Sequence, residues 1–208
     1  MNHAWIGVLE STPLGPVWVA VSLRGLVAVE IGEGDERRMA NDEGAPEMIE
    51  LRAEAIVRTV RRLGFSQVIV DQERTGEALW QIAEYLQGER QVFDLPIDWS
   101  VLTHLQEQAL RATYAIPYGQ TTTYGAIAHT LGKPRAARAV GRAEATNPMP
   151  LVIPCHRVLG SDGGLHGYGA GRGLETKAWL LRLERGELYR ALGKSWESAI
   201  LLTPGEPL

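Results

Sequence analysis

Residues 147–158 of this 208-residue chain read NPMPLVIPCHRV and contain its single cysteine, Cys155. A lone thiol forms no intramolecular disulfide and builds no thiolate zinc site. It is therefore either an inert packed side chain or a nucleophile. His156 supplies a neighbouring base, and Arg157 supplies a cation that favours the thiolate, because such surroundings lower the pKa of a thiol.

The apolar residues 151–153 precede this run and predict a buried strand or a tight apolar approach. Neighbouring side chains of an extended segment point to opposite faces. If the segment is extended through Cys155 and His156, we therefore expect a water molecule to bridge the thiol and the imidazole.

The bulk composition is that of an ordinary globular protein, with 45% hydrophobic and 22% charged residues. The length suits one large domain or two small ones. No apolar stretch approaches the roughly 20 residues that a membrane-spanning helix needs, so no membrane partner is expected. The N-terminal residues show no secretory signal pattern, and a free thiol fits a reducing compartment, so a cytoplasmic location is expected.

The net charge of −4 conceals an asymmetry along the chain. Residues 1–98 hold 9 basic and 17 acidic side chains, which gives −8, whereas residues 99–184 hold 9 and 5, which gives +4. A basic region on an acidic protein indicates a polyanionic partner, and a chance fluctuation of surface charge is the alternative.

The first half alternates between strand and helix patterns. Short β-rich runs between Gly/Pro turns at residues 4–31 predict an antiparallel meander, and a polar loop is expected at 32–46. Helical spacing predicts a helix over 47–63, a strand follows at 65–70, and Thr75 is the expected cap of a helix that ends near Gln87. The extended residues 93–98 place a domain boundary near 98–102.

The second half reads mainly as helices. We expect a helix at about 102–114, in which Leu105 packs, and two short helices at 123–131 and 135–145. The tight Gly-containing turn between the short helices is typical of a helix-turn-helix. The last of them combines small residues with a basic stripe of Arg135, Arg138 and Arg142, which suits close approach to DNA. The alternative is a thin helix against its own core.

The remaining features are a glycine-rich loop at 167–173, a helix at 174–185 and a tail at 187–208 without an interpretable motif. The loop lacks the spacing of a phosphate cradle, and no strand leads into it, so a nucleotide site is rejected. Glycines there suit close approach of backbone amides to a flat ligand.

Several blocks together resemble the O6-alkylguanine-DNA alkyltransferases, also called methylated-DNA–protein-cysteine methyltransferases. The blocks are residues 147–158, 116–125, 136–141 and 167–168 with 177–181, and weaker matches occur at 93–96 and 11–16. The resemblance implies an α+β protein: an N-terminal ribonuclease-H-like α/β domain at 1–98 and a mainly helical C-terminal domain with a helix-turn-helix at 99–186. The tail 187–208 has no assigned role.

The resemblance implies DNA repair by a suicide enzyme, a methylated-DNA–[protein]-cysteine S-methyltransferase. The alkyl group of O6-alkylguanine, and by expectation also of O4-alkylthymine, passes irreversibly and once to Cys155 after base flipping, because a base inside a duplex is out of reach. The expected partner is double-stranded DNA that contains O6-alkylguanine. No cofactor and no metal is expected, and the protein is expected to be monomeric, cytoplasmic, and nucleoid-associated when bound to DNA.

Catalytic roles carry over by position. Cys155 is the alkyl acceptor, His156 acts through a water as its base, Glu184 orients His156, and Asn147 ties the helix-turn-helix to the active-site segment. The order carboxylate, imidazole, thiol is chemically sensible because the acid fixes the tautomer and stabilises imidazolium. The alternative for Glu184 is an exposed helix residue.

DNA-binding and pocket roles carry over in the same way. Arg138 is the finger that fills the vacated stack, and Tyr124 presses on the target phosphate, its alternative being a tyrosine packed at a helix start. The other residues assigned to the DNA face are Arg135, Ala136, Ala137, Ala139, Gly141 and Gln106. In the pocket, Tyr168 donates to the guanine, the backbone at Val158 and Gly169 reads the purine edge, and Pro150 forms a wall.

Three departures from the family pattern stand out. Leu105 occupies a position where Phe is frequent, so slightly different core packing is expected. The chain is about two residues longer than many relatives between Tyr168 and Lys177. Glu144 places a carboxylate near the expected DNA face, where it is expected to weaken binding.

Two other functions remain to be weighed. One is a non-catalytic damage sensor that binds and flips alkylguanine, and the other is a thiol hydrolase with turnover. Sensors of that kind replace the cysteine, so the presence of Cys155 favours transfer.

Overall fold

The structure, a computed structural model, describes residues 2–32 and 53–188. The described part is α+β, with a sheet-bearing N-terminal part and a mainly helical C-terminal part. This confirms the expected fold class. Nearly all of the polar loop predicted at 32–46, the start of the helix predicted at 47–63 and almost the whole tail lie outside the described residues.

The N-terminal part is a four-stranded sheet in the order β3-β2-β1-β4. Its strands are β1 (His3–Leu9), β2 (Val17–Ser22), β3 (Gly25–Ile31) and β4 (Gln67–Val70). The first three pair antiparallel, which confirms the predicted meander, whereas β4 pairs parallel to β1. Within residues 2–32 and 53–98 the structure describes two helices, α1 (Glu54–Arg62) and α2 (Gln72–Leu86).

Both faces of the sheet are apolar, and each face packs into a separate cluster of buried side chains. Ile56 and Val60 of α1 belong to the cluster that contains Ile6 of β1. Ile82 and Tyr85 of α2 belong to a different cluster, which contains Val19, Val29 and Ile31 of the sheet. Strand β2 is consequently buried at four successive residues, as expected for a strand covered on both sides.

The start of α2 differs from the prediction. Asp71, not Thr75, is the N-cap, and its side chain accepts a hydrogen bond of 3.0 Å from the Arg74 amide. Thr75 is fully buried within the helix, and its hydroxyl donates to the carbonyl oxygen of Asp71 over 2.8 Å. Both residue types are good N-caps. Asp71 directly follows the end of β4, so the helix begins there and Thr75 falls inside it.

The C-terminal part begins with α3 (His104–Tyr114), close to the predicted 102–114. Thr103 and Gln106 form a capping box at its start, which satisfies the free amides of the first turn. Leu105 is 37% exposed, so the prediction that it packs in the core was wrong. Leu105 lies in the first turn of α3, where its side chain faces solvent.

Two short helices follow, α4 (Tyr124–Thr130) and α5 (Ala137–Ala145). The Thr123 side chain caps α4, and a turn at 131–136 connects the two helices, which pack on each other and on α3. The arrangement is that of a helix-turn-helix. Arg135, predicted inside the second helix, lies in the turn before it. No described helix has the length and apolar character needed to cross a membrane.

The last elements are a single 3₁₀ turn (Cys155–Arg157), β6 (Val158–Leu159), which pairs parallel with β5 (Thr122–Thr123), and α6 (Leu174–Glu184). One apolar cluster joins both parts of the chain, since it contains Val29 and Ile82 together with Leu110, Ile153 and Leu180. The Val29 amide also donates to the Pro148 carbonyl oxygen over 2.8 Å. The sheet therefore supports the segment that carries Cys155.

Candidate active site

The backbone before Cys155 is a buried turn rather than a strand. Residues 151–153 are nearly inaccessible, so of the two predictions the tight apolar approach was correct. Leu151 has a φ of 71°, a left-handed conformation that is uncommon for a non-glycine residue and is held here by the surrounding core. The 3₁₀ turn that follows replaces the extended geometry considered from the sequence.

The Cys155 thiol is buried, with 6% of the residue exposed. Burial raises the pKa of the thiol to about 12; the Glu144 carboxyl adds to the rise, while Asn147 and Lys177 lower it. This direction is opposite to the lowering expected from the neighbouring His156 and Arg157, because loss of water dominates. In the free protein this side chain is a neutral thiol.

Asn147 links the end of α5 to the segment that carries the cysteine. Its Nδ2 donates to the carbonyl oxygen of Ile153 over 2.9 Å, and its Oδ1 accepts from the Met149 amide over 3.0 Å. Both bonds lie within the turn that leads to Cys155. The side chain thereby fixes the path of the chain between the helix-turn-helix and the thiol.

A buried carboxylate organises the other side of the site. His156 Nε2 lies 2.8 Å from Glu184 Oε1, and Arg157 donates to the same carboxylate through Nε and Nη2, at 2.8–3.1 Å. The Tyr85 hydroxyl donates to Oε1 over 2.7 Å, and the Gly119 amide to Oε2 over 3.0 Å. Glu184 is thus a buried, fully partnered carboxylate and not an exposed helix residue.

These contacts determine the charge of Glu184. Burial by itself favours the neutral acid, but hydrogen bonds from His156 and Arg157 and the positive charge of Arg157 outweigh it and lower the pKa of Glu184 to about 2. Arg157 was predicted to act on the thiol, but its guanidinium is instead paired with this carboxylate and donates to the Ile116 carbonyl oxygen.

The tautomer of His156 follows from its partner. Burial lowers the pKa of His156, with Glu184 acting in the opposite direction, so the ring is neutral. Because the Glu184 carboxylate accepts, Nε2 carries the hydrogen, and Nδ1 is left with a lone pair. Nδ1 is buried and has no hydrogen-bond partner among the described residues. An imidazole in this state can accept a proton at Nδ1.

Lys177 is a second buried cation near the thiol, and sequence reasoning missed its role. Its Nζ donates to the carbonyl oxygens of Val158 over 2.7 Å and Leu165 over 2.6 Å, and burial lowers its pKa. The carbonyl oxygen of Val158, a residue whose backbone was expected to read the purine edge, therefore already accepts one hydrogen bond. Lys177 lies one turn before Leu181 and two before Glu184, a helical spacing that places all three on one buried face of α6.

Glu144 was expected to place a carboxylate near the DNA face and to weaken binding there, but its side chain is buried. The residue is 6% exposed, and its Oε1 is 2.6 Å from the Thr113 hydroxyl. It follows buried Val140 by one helical turn, so helical spacing could have placed it on the inward face of α5. Burial raises the pKa of Glu144 to about 7, although Thr113 and Lys177 act to lower it.

A cavity of about 330 Å³ opens beside the thiol. Its C-terminal wall includes Glu144, Asn147, Pro150, Cys155 and Gly169, and its N-terminal wall comes from β3 and α1. Two predicted pocket residues, Pro150 and Gly169, thus lie around the same space as the thiol. Space at Gly169 is tight, since an added Cβ would come within 3.1 Å of the Ala145 carbonyl oxygen.

Tyr168 also belongs to this neighbourhood. Its hydroxyl is buried and has no hydrogen-bond partner among the described residues. Burial raises the pKa of Tyr168, and the nearby Cys155 and Glu184 add to the rise. A buried phenol of this kind keeps its proton and is free to donate it to a ligand.

The residues assigned to DNA binding lie along the helix-turn-helix. Arg138, in the first turn of α5, and Arg135, in the preceding turn, are exposed, and Arg142 extends the basic stripe. The ring of Tyr124 packs against Gly141, where an added Cβ would contact it at 3.7 Å. Ala136, Ala137 and Ala139 are partly buried. Because their side chains are small, the helix is thin on the side that these residues form.

Gln106 has a structural role in addition to any contact with DNA. Its Oε1 accepts from Thr103 in the capping box, and its Nε2 donates to the Thr146 hydroxyl over 2.9 Å. These bonds connect the start of α3 to the end of α5. Among the described residues no group of three or more His, Cys, Asp or Glu side chains could hold a metal ion.

Two family models match the chain. Residues 7–99 match the ribonuclease-like domain of 6-O-methylguanine DNA methyltransferase, and residues 104–186 match its DNA-binding domain. Together these two ranges cover most of the chain.

Curated relatives agree with the family models. The chain is 37% identical to the methylated-DNA–protein-cysteine methyltransferase of Methanosarcina barkeri over 181 residues, which cover 87% of this chain and 97% of that protein. It is 45% identical to the constitutive enzyme of Bacillus subtilis over 109 residues, covering 52% of this chain and 65% of the relative.

A solved structure agrees as well. The structure of Mycobacterium tuberculosis OGT in complex with DNA superposes with a TM-score of 0.64 at 30% identity. The superposition covers 88% of this chain and 93% of that one.

Proposed function

The chain belongs to the methylated-DNA–protein-cysteine methyltransferase family, and from that premise we propose that it repairs DNA by moving the alkyl group of O6-alkylguanine in a duplex to Cys155. Membership of this family supports three general functions: DNA repair, DNA binding and the methyltransferase reaction. Our proposal adds that Cys155 is the alkyl acceptor, that the substrate is O6-alkylguanine in a DNA duplex, and that each protein molecule reacts once. O4-alkylthymine is a second, weaker substrate.

The observation that carries the proposal is the state of the two residues at the 3₁₀ turn. Cys155 lies on the wall of a cavity, and the residue after it is a neutral histidine whose Nδ1 lone pair is unused. Glu184 holds that histidine in the tautomer a base needs. A thiol with a pKa of about 12 requires such a base at the moment of reaction.

In the reaction, His156 Nδ1 takes the thiol proton through a water molecule as the sulfur attacks the alkyl carbon. The new C–S bond forms as the C–O6 bond breaks, and the bonding electrons pass to the purine. The Glu184 carboxylate stabilises the imidazolium that forms. The purine ends with one added proton, which balances the proton lost by the thiol, so the products are a thioether and guanine.

Tyr168 and Lys177 assist the departing base. The buried Tyr168 hydroxyl donates to the purine as negative charge develops on it. Lys177 is held by the Val158 and Leu165 carbonyl oxygens and places a cation near the sulfur. This charge stabilises the thiolate that forms transiently during the reaction.

DNA binding uses the basic helix-turn-helix. The thin side of α5 approaches the duplex, Arg138 occupies the space that the extruded base leaves, and Tyr124 helps to rotate the target phosphate. Extrusion is required because the alkyl carbon of a stacked base is out of reach of a buried thiol. Arg135 and Arg142 contribute phosphate contacts, which weaken as salt rises.

A thioether is not reversed by any group in this site, so each molecule acts once. The test is a titration of the protein with an excess of duplex that carries O6-methylguanine. We expect repair to stop at one guanine restored per protein molecule. Continued turnover would favour a thiol hydrolase, and binding without any repair would favour a damage sensor.

A further inference from the structure

Glu144 lines the pocket and carries a buried side-chain oxygen that has no hydrogen-bond partner among the described residues. In the described part of the chain, three buried side-chain polar atoms lack a hydrogen-bond partner: Glu144 Oε2, His156 Nδ1 and the Tyr168 hydroxyl. The last two have roles in the proposed transfer. Buried polar groups are nearly always paired, so an unpaired one beside a cavity indicates a group that a ligand completes.

The position of Glu144 is suitable for contact with a bound base. It lines the same cavity as Cys155, Pro150 and Gly169. Its carboxyl is close enough to raise the pKa of both Cys155 and Tyr124, so it lies near the acceptor thiol and near the helix-turn-helix tyrosine. A purine held against the sulfur therefore comes near this side chain.

The hydrogen bond to Thr113 indicates whether the unpartnered Glu144 Oε2 is a hydrogen-bond donor or acceptor. The Thr113 hydroxyl lies 3.1 Å from the Ala109 carbonyl oxygen and 2.6 Å from Glu144 Oε1, but it has only one hydrogen. Both contacts are satisfied when the carboxyl is neutral and its proton sits on Oε1. When the carboxyl is ionised, Thr113 donates to Oε1. In both states Oε2 is an acceptor.

The ligand offers one donor for that acceptor. Alkylation at O6 removes the hydrogen from N1, so the 2-amino group is the only N–H donor left on an O6-alkylguanine base. We propose that Glu144 is a substrate-binding residue that recognises the guanine ring of the alkylated base by accepting a hydrogen bond from its 2-amino group. This rests on the proposed function, and it also predicts a preference for O6-alkylguanine over O4-alkylthymine, because O4-alkylthymine has no such donor.

The test compares two duplexes that differ only in this amino group, one with O6-methylguanine and one with O6-methylhypoxanthine, each opposite thymine. The transfer rate is measured by intact mass for the wild type, Glu144→Met, Glu144→Leu and Glu144→Gln. Met and Leu remove the acceptor, and Thr113 keeps its bond to Ala109. Gln keeps a carbonyl oxygen. The rate ratio within one variant cancels effects on folding and general DNA binding.

We expect the wild type to prefer the guanine duplex and both apolar variants to lose about tenfold of that preference, the value of one hydrogen bond. Glu144→Gln should retain it. An unchanged preference in Glu144→Met and Glu144→Leu, or a loss in Glu144→Gln as large as theirs, would overturn the inference alone. Absence of transfer by the wild type from O6-methylguanine would instead overturn the proposed function.

Discussion

The hydroxyl of Tyr85 donates a hydrogen bond of 2.7 Å to Glu184 Oε1, although the two residues lie 99 positions apart. Tyr85 comes from α2 of the N-terminal part, and Glu184 ends the last described helix. The carboxylate that orients His156 is therefore held partly by the sheet-bearing half of the chain. This gives that half a direct part in the geometry of the proposed active site.

Removing this hydroxyl should weaken the fold. Tyr85→Phe leaves the ring against Phe93 and Tyr118 but deletes a buried hydrogen bond to a charged group, so the free energy of unfolding should fall by about 2 kcal/mol. Urea unfolding measures the loss. Tyr114→Phe is the matched control, since its hydroxyl makes only a 3.4 Å contact with the Phe93 carbonyl oxygen. Equal losses in the two variants would contradict the assigned role.

The thiol should resist general alkylating reagents in the folded protein. With a pKa near 12 and little exposure, Cys155 has almost no accessible thiolate at pH 8. Iodoacetamide should react at least about 100-fold more slowly with native protein than with protein in urea, where the thiol has an ordinary pKa. Mass spectrometry follows both reactions. Similar rates would show that the thiol is exposed or ionised before substrate binds.

The buried Glu144 carboxyl should make stability depend on pH. Its folded pKa of about 7 lies above the value of 4.5 for a free side chain, so folding favours the protonated form. That contribution is complete below about pH 4.5 and is lost as pH rises through 7.

Glu144→Gln removes this titration and retains the shape of the side chain. Relative to the wild type it should gain about 2 kcal/mol more at pH 8 than at pH 5. Urea unfolding at the two pH values gives the difference, and Glu175→Gln, at an exposed carboxyl, controls for general charge effects. The same gain for Glu144→Gln at both pH values would be inconsistent with a raised pKa.

Arg138→Ala should separate base extrusion from chemistry. Repair of O6-methylguanine in duplex should fall much more than reaction with free O6-benzylguanine, because only the duplex requires a side chain to fill the vacated stack. Rates of protein alkylation by each substrate provide the comparison. Arg61→Ala, at an exposed arginine of α1, is the control and should leave both rates unchanged. Equal losses of Arg138→Ala on the two substrates would refute the finger role.

Much of the fold was predictable because local patterns decide it. Alternating apolar residues and Gly/Pro turns place β1–β3, and helical spacing places α2 to α6 within a few residues. The parallel pairing of β4 with β1 was not predictable, since it joins residues more than 60 positions apart. The cap at Asp71 was missed because two good capping residues stand close together, and only the end of β4 distinguishes them.

Part of the site was predictable from the residues alone, since the lone Cys155 and the neighbouring His156 stand out as a candidate nucleophile and base. Asn147 and Glu184 came from the family resemblance, and the structure brings His156 and Glu184 into contact. Tyr85 was missed because its contact depends on how the two halves pack. The raised pKa of Cys155 was missed because burial is a property of the fold, whereas sequence reasoning considered only the neighbouring charges.

The most direct test of the central claim is the location of the transferred group. Wild-type protein and Cys155→Ser are each incubated with duplex that contains O6-methylguanine, and the peptides are analysed by mass. We predict that the wild type gains one methyl group, on the peptide that contains Cys155 and on no other, and that the variant gains none. A methyl group on another peptide, or an unmodified wild-type protein, would contradict the account.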